Sequence, residues 1–134
     1  MFIHQFADAA AAAVNAHDPD AVTRLWAEPA AYTSPLTGPQ SGLDALRARE
    51  AALFAGFSNL RAKITALGQE GLTGAMLVTF EGTHDGCYAG IPASGNRISI
   101  EMAAIVTFDE SGKVIAERVI VDTGDVATQL GSPP

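Results

Sequence analysis

The apolar positions along this chain change period once, from 3.6 residues to two, which separates a helical first half from a stranded second half. Phe2, Phe6, Ala9, Ala10, Ala13 and Val14 recur at helical spacing in an alanine-rich stretch and predict a first helix over about Ile3 to Ala16. Asp18 before Pro19 reads as a cap followed by the first helical position. A short second helix is therefore expected over Ala21 to Trp26, stopped by Pro29. Ala30 to Thr33 is a short extended run, and Ser34 to Gln40, with Pro35, Gly38 and Pro39, is a loop. Leu43, Leu46, Glu50, Leu53, Phe54 and Phe57 then share one helical register, which predicts a third helix over Leu43 to Ala55, opened by Ser41 or Gly42. From Leu60 onward residues alternate, and four strands are expected at about Leu60 to Gln69, Gly74 to His84, Arg97 to Asp109 and Lys113 to Asp122. Gly71 and Ser111-Gly112 mark tight turns, so the first and last connections are hairpins, while Asp85 to Asn96 is a longer linker. Helices first and an antiparallel sheet afterwards make one α+β domain over residues 1–134, with the helices on one face of the sheet.

The strand rows indicate which face is buried. Met76, Val78, Phe80, Gly82 and His84 share one face, as do Ile98, Ile100, Met102, Ala104, Val106 and Phe108, and these rows are expected to meet the helices. In the last strand Arg118, Ile120 and Asp122 share one side and Glu117, Val119 and Val121 the other. The first of these rows is assigned to the inner face. His84, Arg118 and Asp122 are then polar exceptions in an apolar lining, where an unpaired charge is costly. A structural Arg118–Asp122 ion pair and a catalytic set are both open on this pattern. Ile105, Val119 and Val121 fall on the outer side as an apolar patch, which predicts a sheet-to-sheet homodimer. Trp26, Tyr32, Phe54, Phe57, Met76, Phe80, Tyr88 and Met102 are the expected lining of a cavity for a small apolar ligand.

Charge and composition remove several classes of function. The net charge is −7 and only eight Lys and Arg are present, scattered along the chain, which argues against nucleic acid and acidic membranes as partners. No stretch approaches the roughly 18 apolar residues of a membrane span. The Ala-rich start lacks a basic lead and carries Asp8, so it does not read as a secretory signal. A single cysteine, Cys87, rules out an internal disulfide and fits a cytoplasmic protein. His4, His17 and His84 have no metal-ligand spacing, so no metal is expected. Ser34 and Ser94 lie outside any nucleophile elbow, and the glycines of 85–95 do not form a phosphate loop. Ser132-Pro133-Pro134 reads as a low-complexity tail.

One set of residues resembles a known family. Gly82-Thr83-His84-Asp85-Gly86, then Gly90-Ile91-Pro92-Ala93-Ser94-Gly95-Asn96-Arg97, Asp109 to Lys113, Glu117, Asp122 and Gln129-Leu130-Gly131 resemble the SnoaL-like polyketide cyclases of the nuclear transport factor 2 superfamily. The resemblance implies a cone of curved antiparallel sheet wrapped around three N-terminal helices, a deep apolar cavity and a homodimer. It also implies an aspartate, matched here by Asp122, that serves as acid and base for the intramolecular aldol closure of a polyketide ester without metal or cofactor. The histidine of the family's Gly-Thr-His run matches His84. Arg118 stands where relatives often carry an aromatic or histidine, and Thr123-Gly124 where bulkier residues are common. Arg118 also admits a second reaction. In limonene-epoxide-hydrolase-like relatives an Asp-Arg-Asp set holds a water against an epoxide, and Arg118 and Asp122 would supply two of its members. A non-catalytic ligand-binding or dimerisation module is the third reading of the same fold.

Overall fold

The structure is a computed structural model that describes residues 1–131, so the Ser132-Pro133-Pro134 tail lies outside the described residues. Helix α1 (Phe2–Asn15) buries Ile3, Phe6, Ala7, Ala10, Ala13 and Val14, and its run of alanines lets it pack low against β3 (Arg61–Glu70) and β4 (Thr73–Thr83). Phe6 meets Phe108 edge to face at 5.8 Å, which anchors the helix to the far end of β5 (Arg97–Phe108).

The second helix is shifted from its expected place. α2 spans Pro19–Thr23, with the Asp18 carboxylate accepting from Ala21 N at 3.1 Å, and Trp26 opens strand β1 (Trp26–Ser34) instead of ending a helix. The short extended run foreseen at Ala30 to Thr33 is the second half of β1. This strand passes through a cis Glu28–Pro29 peptide, and its pairing shifts register between Trp26 and Ala31. β2 (Gly38–Gln40) forms inside the expected loop by pairing antiparallel with β1. Helix α3 (Leu43–Gly56) then crosses back, followed by the two expected hairpins, β3–β4 and β5–β6 (Val114–Ile120). Both hairpins turn through a glycine in the left-handed region, Gly71 at φ 59° and Gly112 at φ 91°.

The curved sheet has six strands in the order β2-β1-β6-β5-β4-β3. It is mixed: β1 runs parallel to β6, whereas the remaining neighbours are antiparallel. The expected four antiparallel strands are thus extended by a β1–β2 pair that joins through tertiary contact. A fourth helix, α4 (Thr123–Gln129), follows β6 and buries Val126.

The face of β6 is the main departure from expectation. Glu117 pairs with Val106 and Val119 with Ala104, and those β5 residues belong to the buried row, so Glu117 and Val119 point inward. Arg118 and Ile120 point outward with Ile105 and Ala103. Pairing fixes a strand's faces through its neighbour, and a shift of one residue would exchange all of them. Both rows of β6 carry β-branched residues, so its own sequence does not choose between them.

Candidate active site

The inner sheet face, α1, α3 and α4 surround a pocket of about 150 Å³ whose wall is mostly apolar. Of the expected lining residues, Trp26, Phe57, Met76, Phe80, Tyr88 and Met102 are present. Phe54 is not: its ring stacks on His17 at 4.7 Å, and His17 Nε2 donates to the Leu60 carbonyl at 2.8 Å. Tyr32 lies just behind the wall, buried, with its hydroxyl bonded to Gln40. Tyr88 reaches the pocket from the linker after β4. Its ring stands edge-on to Phe57 at 5.2 Å, and its approach depends on Gly56, where an added Cβ would come within 2.8 Å of Tyr88 Cβ.

Three charged side chains enter this wall, and they are not the expected ones. Leu46, Glu50 and Leu53 lie at i, i+4 and i+7 of α3, so the helix that buries Leu46 also turns Glu50 inward, where it is 5% exposed. Arg49 Nη2 donates to Glu50 Oε1 at 3.0 Å, and Arg49 Nη1 donates to Glu117 Oε1 at 3.2 Å. One guanidinium therefore bridges two carboxyls. Tyr32 and Glu117 are cross-strand partners on β1 and β6, and the Arg49 guanidinium lies 4.2 Å above the Tyr32 ring centre. The parallel pairing of β1 with β6 thus forms the floor on which α3 sets its charges.

The electrostatics divide the two carboxyls. Burial raises the Glu50 pKa, and this outweighs the pull of Arg49 in the opposite direction. Its second oxygen, Oε2, is buried and has no hydrogen-bond partner. Burial alone would lower the Arg49 pKa, but Glu117 and Glu50 together raise it, so the guanidinium stays charged. Burial also raises the pKa values of Tyr88 and Tyr32, and both hydroxyls remain protonated at neutral pH. Among the described residues, no group of three or more His, Cys, Asp or Glu is placed to hold a metal ion.

The expected inner-face set takes other places. Arg118 is exposed on the outer face. Asp122 lies beyond the end of β6 and is exposed; it is the N-cap of α4, its Oδ1 accepting from Asp125 N at 3.0 Å. Neither residue lines the pocket, and they do not pair with one another. His84 is fully buried on the expected face of β4, just past the strand's end, but it lies behind Phe57 at 5.4 Å between ring centres. Its Nδ1 bonds Ser94 Oγ at 2.9 Å, which ties the start of the linker to its end, and Nε2 has no partner. As a helix cap, Asp122→Ala is expected to cost about 1 kcal/mol in folding. Asp122→Asn, an equally good cap, should change neither the melting temperature nor ligand affinity. Urea unfolding and ligand titration of both variants check this, and a large loss of ligand affinity in Asp122→Asn would return that carboxylate to the site.

Sequence reasoning missed Arg49, Glu50 and Glu117. The available signal was Glu50, a carboxyl within the apolar register of the third helix.

The curved sheet and its helices thus enclose a mostly apolar pocket that carries a buried carboxyl–guanidinium–carboxyl set. The sequence matches the model of the SnoaL-like polyketide cyclases over residues 4–130, and the chain belongs to that family. No curated protein matches it in sequence. Among solved structures, TsrD from Streptomyces laurentii is 24% identical, with a TM-score of 0.86 over 98% of this chain and 96% of that one. A protein from Jannaschia sp. CCS1 assigned to the SnoaL-like polyketide cyclases is 23% identical, with a TM-score of 0.83 over 99% and 94% of the two chains. A protein from Catenulispora acidiphila with a ketosteroid isomerase-like fold, solved in complex with trimethylamine, is 19% identical, with a TM-score of 0.78 over 96% and 94%. At these identities the structures establish the shared fold.

Proposed function

We propose that the pocket binds a small apolar molecule and that Glu50 is its proton-transfer group, in an intramolecular aldol closure of the polyketide-cyclase type. One observation carries this reading: Glu50 Oε2 is buried and unpartnered in an apolar wall, while Oε1 is held by Arg49. An unpaired polar atom in such a place is costly for folding alone, and a carboxyl whose pKa burial raises holds its proton to higher pH than an exposed one, which suits it to give a proton. In this mechanism the Glu117 carboxylate removes a proton from a carbon between two carbonyls, breaking the C–H bond and leaving an enolate. The enolate carbon attacks a second carbonyl of the same molecule. The new alkoxide oxygen takes the proton of Glu50, and exchange with solvent returns both carboxyls to their starting states. Tyr88 stands on the same wall with a protonated hydroxyl that can donate to the developing oxyanion. Asp122, outside the pocket, takes no part. The test is the pH profile of turnover with a polyketide ester: the acid role requires activity that falls as pH rises through the raised Glu50 pKa. A rate that keeps rising with pH through neutrality rejects it.

A second reading, hydrolysis of an epoxide, is favoured by the bridge itself, because Arg49 between Glu50 and Glu117 supplies the carboxyl–guanidinium–carboxyl set that Arg118 and Asp122 do not. Diol formation from a terpenoid epoxide, lost in Glu50→Gln, would select it. A pocket that binds ligand and turns over neither compound would leave the binding-module reading.

The homodimer is also a proposal, with a corrected surface. Val119 faces the pocket and Val121 packs against the core, so neither belongs to the outer patch. The outward row instead runs from Leu77 through Ala103 to Ile120, with Ile105 beside it; Ile105 is 40% and Ile120 54% exposed. Ile120→Asp is expected to convert a dimer into a monomer in sedimentation at micromolar concentration. A wild-type chain that sediments as a monomer would remove the proposal.

A further inference from the structure

Arg49 is the only cation among the residues that line the pocket, and each of its two terminal nitrogens already donates to a carboxyl. Nη2 serves Glu50 and Nη1 serves Glu117, while the Tyr32 ring covers one face of the guanidinium. Nothing in the wall therefore offers an incoming carboxylate a free positive charge. The polar atom of this wall that is fully buried without a partner is Glu50 Oε2.

From this arrangement we infer that Glu117 is a specificity-determining residue: by holding Arg49 it masks a latent anion site and sets the pocket for neutral ligands that present an acceptor oxygen. The inference rests on the reading of this pocket as an apolar-ligand site. Its physical basis is charge balance. A carboxylate ligand loses its hydration on entry and is repaid only by a cation with a free donor edge. Here the guanidinium is already matched by the Glu117 carboxylate and bonded to Glu50, so a ligand carboxylate would add a negative charge with no counter-charge in a wall of low dielectric. A ketone or ester has no such cost and needs one donor, which the Glu50 hydroxyl provides in its neutral form. Replacing Glu117 with Gln removes one negative charge from the guanidinium and leaves on Nη1 only a neutral amide oxygen, which a ligand carboxylate can displace for a bidentate or side-on clasp. Glu117 thus excludes acids whether or not it also moves a proton.

The test uses three flat probes of similar size: 2-acetylnaphthalene, 2-naphthoate and 2-(aminomethyl)naphthalene, titrated by calorimetry at neutral pH. The wild-type protein is expected to bind the ketone at least about tenfold tighter than the carboxylate. In Glu117→Gln the carboxylate should gain about tenfold or more while the ketone changes by less than about threefold, and adding Arg49→Met should abolish that gain. Equal binding of ketone and carboxylate by the wild type overturns the inference, as does a folded Glu117→Gln variant with no gain for the carboxylate. Preference for the amine overturns it as well, because Glu50 would then act as an ionised counter-charge. If Glu117→Gln does not fold, the wild-type comparison still decides. Ketone uptake with equal carboxylate uptake sinks the specificity claim alone, whereas a wild type that takes none of the three probes sinks the pocket reading and this inference with it.

Discussion

Glu50→Gln is expected to lower turnover by roughly 10²–10⁴ while leaving ligand affinity nearly unchanged, because the amide keeps the shape and the bond from Arg49 but has no proton to give. The same variant carries a stability signature that separates it from a merely damaged protein. Burial raises the Glu50 pKa in the folded state, so the folded protein holds this proton over a pH range in which the unfolded chain has released it. Below the ordinary glutamate pKa the group is protonated in both states and its full contribution is present. As pH rises from there through the raised value, that contribution is lost. Urea unfolding of the wild type across this window should therefore show stability falling with pH relative to Glu50→Gln, whose amide does not titrate. Parallel pH curves for the two proteins would show that Glu50 ionises normally, and the proton-donor role would fall with that result.

Arg49→Met is expected to cost about 3–5 kcal/mol in folding, the largest effect on stability foreseen for a single substitution in this chain. The methionine fills much of the same volume, so packing is largely kept. What is lost is the bridge: Glu50 is 5% exposed and the Glu117 side chain 9%, and without Arg49 they face one another with no counter-charge. The loss should shrink at low pH, where Glu50 is protonated, and grow as pH rises through its raised pKa. Adding Glu117→Gln should recover a large part of it, because the amide removes the carboxylate that Arg49 no longer compensates. A double variant no more stable than Arg49→Met would mean that Arg49 and Glu117 are not coupled, and the site would need another account.

Several parts of this protein were legible in the sequence because local physics decides them. Alanines with Phe6, Ala10, Ala13 and Val14 at 3.6-residue spacing make α1 wherever it docks. The alternating rows of β4 and β5 name their buried faces unaided, since only one row of each is consistently apolar. Gly71 and Gly112 fix the hairpins because those turns need a left-handed residue. Glu50 was also visible, as a carboxyl in the apolar stripe of α3, but a stripe says only that a residue is turned inward and not what it will meet. Other features were decided by tertiary structure. Which row of β6 faces inward depends on its register against β5, and a strand whose two rows are both β-branched carries no local preference, so Arg118 and Glu117 exchange places with a slip of one residue. The joining of β1 to β6, which brings Tyr32 beside Glu117, pairs segments some 85 positions apart in sequence and leaves no periodic trace in either. Asp122 reads as the end of an apolar strand until α4 begins directly after it and takes its side chain as a cap. The chain alone could state that an acid lies in the apolar stripe of one helix; only the closed fold could bring the second carboxyl, Glu117 from β6, onto the arginine beside it.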